Sequence, residues 1–273
     1  MTVSRRYLLL IRAISAVALV VAGKLLAHLL GWEVISVNPL FSGIVAANVF
    51  LMGFLLSGVL SDYKESERLP GELAAALENL AQEVRGIRYA RPDAAVVACL
   101  TQLSEFAAGL LAWFHKRQRT HALMEQLNDL TPQFALMEQW TQATLVARLK
   151  QEQSNLRRAI IRIHTIRETS FVSSGYLLAD MITLLLCGGL IFVKIEPFYE
   201  SLFFVGVISC VMIFLLMLIR DLDNPFGYYE AASGEDVSLK PLEDAARRLD
   251  AILNDETTTA SLSSERGAAQ HSA

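Results

Sequence analysis

Ala46, Phe50, Phe54, Ser57 and Ser61 follow one another at steps of three or four residues. They lie inside a run, Pro39 to Ser61, that holds no charged side chain. On a helix such steps put all five on one face. Several copies of that face around an axis would enclose a conduit. Rings of Phe50 and Phe54 would form a hydrophobic constriction able to gate by dewetting. Their positively polarised ring edges suit a passing anion better than a cation. Ser57 and Ser61 would offer hydroxyl donors just below. The plainer use of the same face is helix packing, with small residues allowing close approach. Asn48, the one side-chain amide in the run, lies well away from the stripe.

Four ionisable residues fall within or beside other apolar runs. Lys24 and His28, at i and i+4, share a helix face near the outer end of the first run, where they would raise the positive potential at an outer entrance. Arg12 and Asp180 fall at similar depth and could pair. The structural alternative for all four is a satisfied ion pair, with Lys24 snorkelling to the surface. Catalytic chemistry has no candidates. His115, His121 and His164 are far apart, and Glu105 and Glu125 read as solvated helix faces. No glycine-rich phosphate loop, nucleophile elbow or paired-carboxylate motif occurs. Cys99, Cys187 and Cys210 are scattered and read as small hydrophobes. The expectation is no enzyme, no metal and no cofactor.

The elements that must position the stripe follow from composition. The chain has 273 residues, 53% hydrophobic and 19% charged, with 7 prolines and 15 glycines. That balance fits membrane spans joined to a helical soluble part. A net charge of -4 gives no basic excess for nucleic acid. Spans are expected at about 13–32, 39–61, 173–193 and 201–219, each long enough to cross a bilayer core. The first two form one hairpin and the last two another, joined by short loops. Arg5, Arg6 and Arg12 precede the first span, Arg157, Arg158, Arg162 and Arg167 the third, and Arg220 follows the fourth. The positive-inside rule then places both termini and the segment 62–172 in the cytoplasm of a cell whose inner membrane holds the chain. Read as a twin-arginine export signal, Ser4 to Leu9 would have Arg12 and Lys24 inside its apolar region, and no small-x-small cleavage site follows. The soluble segment carries apolar stripes at helical spacing, with connections at Arg88 to Pro92 and at Thr131-Pro132. Residues 221–253 form a post-span loop and a helix, and 254–273 a Ser/Thr/Ala-rich tail expected to be disordered.

The layout and two motifs resemble the bestrophins. Phe50-Leu51-Met52-Gly53-Phe54 is similar to that family's Phe-x-x-Gly-Phe neck. Asp223-Asn224-Pro225-Phe226-Gly227 directly follows the fourth span, as the family's Asn-Pro-Phe-Gly segment does. Asp62-Tyr63-Lys64-Glu65 with Leu69-Pro70 resembles the charged exit of the bestrophin pore helix. The resemblance implies an all-α, polytopic membrane protein with four transmembrane helices and a helical cytoplasmic domain. It further implies a homopentameric channel for chloride or other small anions, with lipid, ions and its own copies as partners. Its three neck positions fall on Ala46, Phe50 and Phe54, with alanine leaving the first ring wider. One departure concerns calcium. Tyr228-Tyr229-Glu230-Ala231-Ala232-Ser233 lacks the carboxylate density of the animal members' calcium clasp.

Two rivals stand beside the channel. One is a membrane-anchored structural or signalling scaffold whose helical cytoplasmic domain binds a partner. The other is a proton-driven force generator, for which Asp180 is the sole membrane-embedded acid.

Overall fold

A computed structural model describes residues 3–91, 95–168, 173–228 and 236–271. Pro92 and the stretch Tyr229 to Glu235, read above for a connection and for calcium ligands, lie outside them. The chain folds into helices α1 (Val3–Leu29), α2 (Pro39–Ala90), α3 (Val97–Phe114), α4 (Thr120–Met137), α5 (Ala143–Glu168), α6 (Ser173–Ile191), α7 (Phe198–Leu222) and α8 (Lys240–His271). One addition to the all-helical expectation is a parallel bridge of two residues a side. In it β1 (Ile35–Ser36) pairs with β2 (Val193–Lys194), tying together the loops that close the two hairpins.

The chain divides into two compact units. The first holds α1, the first part of α2, α6 and α7. Its α1 packs on α6 and α7, and small residues set the spacing. A side chain at Gly23 would press on Ile191, and one at Gly206 would touch Val21. Close backbone approach is how helices associate where lipid removes the hydrophobic drive between them. Met52, Leu55 and Val59 of α2 cluster with Ala179 and Leu186 of α6 and with Met212, Ile219 and Leu222 of α7.

The second unit holds the rest of α2, then α3, α4, α5 and α8. Its core is the set of stripes read from the sequence. Leu73, Leu77, Leu80 and Val84 are buried, as are Leu100, Leu103, Phe106 and Leu110, then Leu123, Leu127 and Leu130, then Leu149, Leu156, Ile160 and Ile163. Among the described residues five helices are long and apolar enough to cross a membrane, the four expected and α3. The composition of α3 follows from its place, since Cys99, Phe106, Trp113 and Phe114 are all buried in the second unit.

Two local expectations need correction. Thr131-Pro132 is not a connection, because Pro132 lies inside α4, and α2 likewise runs on through Pro70. Burial of Leu69, Leu73 and Leu77 outweighs the missing N–H at Pro70. At Pro132 the loosened turn is tended by α5: Gln153 Nε2 donates to the Leu127 carbonyl and to Thr131 Oγ1. The tail from Asn254 is helical to His271 rather than disordered. The hydroxyls of Thr257, Thr258 and Thr259 bond back to the carbonyls of Asn254 and Asp255. Glu256 is buried and paired with Arg85 and Arg88 of α2.

Candidate functional site

The candidate site is the face that α2 turns away from its own bundle. Asn48, Met52, Leu55 and Val59 recur at helical spacing and are all buried, so they define the packed side. Two residues of helix turn the direction by about 200°. Phe50 therefore points nearly opposite Asn48. Phe50 is 79% exposed and Phe54 59%, and Ala46, Ser57 and Ser61 are exposed with them. Gly43 and Gly53 on or beside this face have open space in front of them. The sequence stripe is thus one continuous, unpacked surface of the single chain.

Leucine is the main exposed side chain on α1 (Leu19, Leu26, Leu29) and α6 (Leu184, Leu185), while α7 exposes Phe203 and Phe204. The α2 stripe offers alanine, serine and aromatic rings, with glycine beside them. Leu40, Ile44, Val49 and Leu60 flank it.

Lys24, His28 and Asp180 each have a side-chain partner. Lys24 has no exposed surface. Its ammonium donates to Glu33 and to the backbone carbonyl of Val193. His28 Nδ1 lies 3.0 Å from the other Glu33 oxygen, and its ring stacks on Phe198 at 3.8 Å. Burial alone would raise the Glu33 carboxyl. Hydrogen bonds from Lys24 and His28 outweigh that and hold it below the usual carboxylate range. Lys24 and His28 thus share one acid, and Lys24 ties together the loops that close the two hairpins. Glu33 was legible as the one carboxylate in the first loop, but its partner was not.

Asp180 corrects a pairing. Its partner is Arg220 at the end of α7, not Arg12. Arg12 is exposed on α1, and its carbonyl accepts from Ser15. The hairpin of α6 and α7 brings Asp180 and Arg220 together by short connection, which similar depth alone does not do for Arg12. The loop Asp223, Asn224, Pro225, Phe226 and Gly227 is anchored as its residue types suggest. Pro225, Phe226 and Gly227 are buried, and Asp223 accepts a 2.7 Å bond from the Tyr176 hydroxyl. Tyr176 and Thr183 carried no sequence signal, being ordinary members of an apolar helix. Thr183 receives the Asn48 amide at 3.3 Å. Among the described residues no group of three or more His, Cys, Asp or Glu could hold a metal.

No protein-family model and no curated protein matches the sequence. Solved structures do. A single-substitution variant of a bacterial bestrophin homologue from Klebsiella pneumoniae is 19% identical with a TM-score of 0.74, over 92% of this chain and 98% of that one. Another structure of a bacterial bestrophin homologue from Klebsiella pneumoniae is 18% identical at a TM-score of 0.70, over 91% and 98%. A crystal structure described as a membrane protein variant is 18% identical at 0.75, over 88% and 98%. Likeness over nearly the whole of each chain at such low identity establishes a shared fold: an all-α, multi-pass membrane fold of the kind seen in bacterial bestrophin homologues.

Proposed function

We propose that the chain is a passive ion channel for chloride or another small anion. Five copies surround one axis, and α2 lines the pathway. Ala46, Phe50 and Phe54 form the neck, and Ser57 and Ser61 line the passage below it. The observation that carries this reading is the opposition on α2 between a fully packed face and an exposed aromatic and small-residue face. Two exposed hydroxyls in line with two exposed aromatic rings on one helix face suit the lining of a water-filled passage. The chain sits in the inner membrane with both termini in the cytoplasm, as the arginine distribution supports.

No ring of fixed charge lines the neck, so anion preference rests on the aromatic edges and hydroxyl donors. The test is a reversal potential across a planar bilayer containing purified protein, with potassium chloride asymmetric between the two sides. Reversal near the chloride equilibrium potential supports the reading. Reversal near that of potassium overturns the selectivity, and membranes that stay silent across pH and calcium overturn the channel.

A further inference from the structure

Asn48 is a costly residue to bury. Its amide offers two donors and an oxygen acceptor, and burial without partners costs free energy. It has no exposed surface. Its Nδ2 donates to Thr183 Oγ1 of α6, while its Oδ1 is unpartnered. Thr183 is itself buried. Around this bond Met52, Leu55 and Val59 of α2 pack against the apolar side chains of Ala179, Leu186 and Met212. Such surfaces tolerate re-packing, methionine especially. In lipid they set a close approach but do not fix the angle of one helix about its own axis. A directional bond does, because turning α2 would strand an amide and a hydroxyl in an apolar bundle.

Resting on the channel reading above, we propose that the Asn48–Thr183 bond is a rotational pin of the pore helix at the level of the neck. Asn48 points nearly opposite Phe50, so fixing the one aims the other. Asn48 and Thr183 are then positioning residues for ion passage, acting through the direction of Phe50 and Phe54. The single bond leaves Asn48 Oδ1 free, so the pin holds α2 from one side only.

The test reads helix rotation independently of current. Cys99, Cys187 and Cys210 are replaced by alanine. Phe50→Cys, Phe54→Cys and Leu51→Cys are introduced singly, and each is labelled with a water-soluble, charged thiol reagent in reconstituted vesicles. With Asn48 intact, Phe50→Cys and Phe54→Cys react quickly, and Leu51→Cys, partly packed against the bundle, reacts slowly. Adding Asn48→Leu or the isosteric Thr183→Val brings the rates toward parity and blurs relative anion permeability, with the assembly size unchanged. The exchange Asn48→Thr with Thr183→Asn restores the contrast. A merely structural bond would lower the melting temperature without changing which position reacts. Should Asn48→Leu not assemble, Thr183→Val carries the comparison alone. An unchanged labelling pattern in assembled Thr183→Val overturns the pin and leaves the channel standing. Unreactive Phe50→Cys in the otherwise native protein overturns both.

Discussion

Lys24, fully buried within the apolar helix α1, donates to the carboxylate of Glu33 nine residues further along. A second tie runs from the same ammonium to the Val193 carbonyl in the opposite loop. The lysine thus clamps the loops that close both hairpins beside the β1–β2 bridge. Removing one partner of a buried pair leaves an uncompensated charge, costing about 3–5 kcal/mol. Glu33→Gln should therefore lower the melting temperature sharply. Lys24→Leu combined with Glu33→Gln should recover most of the loss. A melt of Glu33→Gln indistinguishable from the native one would show that the clamp carries no stability.

The same carboxylate sets a pH dependence. Its folded pKa lies below its ordinary value of 4.5. A depressed acid contributes stability that is fully present above the ordinary value and is lost as pH falls through the folded value. The melting-temperature gap between native protein and Glu33→Gln should be level above that value and close on further acidification. A gap that widens in acid would reverse the assigned sign.

Asp180 and Arg220 form a partly exposed pair, worth no more than about 1 kcal/mol. Asp180→Asn and Arg220→Gln should each destabilise slightly, and the double variant should lose less than the sum. Arg12→Gln should add independently to Asp180→Asn. Non-additive coupling between Arg12 and Asp180 in thermal melts would restore the pairing that the structure replaces.

How far these relationships could be read beforehand depends on how local their cause is. Long apolar runs and short loops mark α1, α2, α6 and α7, because lipid demands length and apolarity of each helix separately. The face shared by Phe50, Phe54 and Ser57 was equally legible, since helical spacing is a local property. Helix continuation through Pro132 was not, because Gln153 of another helix sustains it. The ordered tail was hidden for the same reason. Nothing near Glu256 in sequence announces Arg85 and Arg88. Nor did depth along the membrane distinguish Arg12 from Arg220 as the partner of Asp180.

The tail gives its own prediction. Glu256 is buried against two arginines, whereas Asp255 is exposed. Glu256→Gln should cost about 1.5–3 kcal/mol, as for lost hydrogen bonds to a charged group. Asp255→Asn should cost no more than about 1 kcal/mol. Chemical denaturation followed by circular dichroism separates them, and equal effects would remove the anchoring role of Glu256.

At the neck, Phe50→Ala with Phe54→Ala should widen and wet the constriction and raise single-channel conductance. Unchanged flux would place the constriction elsewhere.

The most direct measurement is a three-dimensional map of the purified assembly in a lipid nanodisc. The account predicts five copies about one open axis, with Phe50 and Phe54 facing it and Asn48 turned into each subunit's own bundle. A monomer, or an assembly in which the Phe50 face of α2 meets lipid, would contradict it.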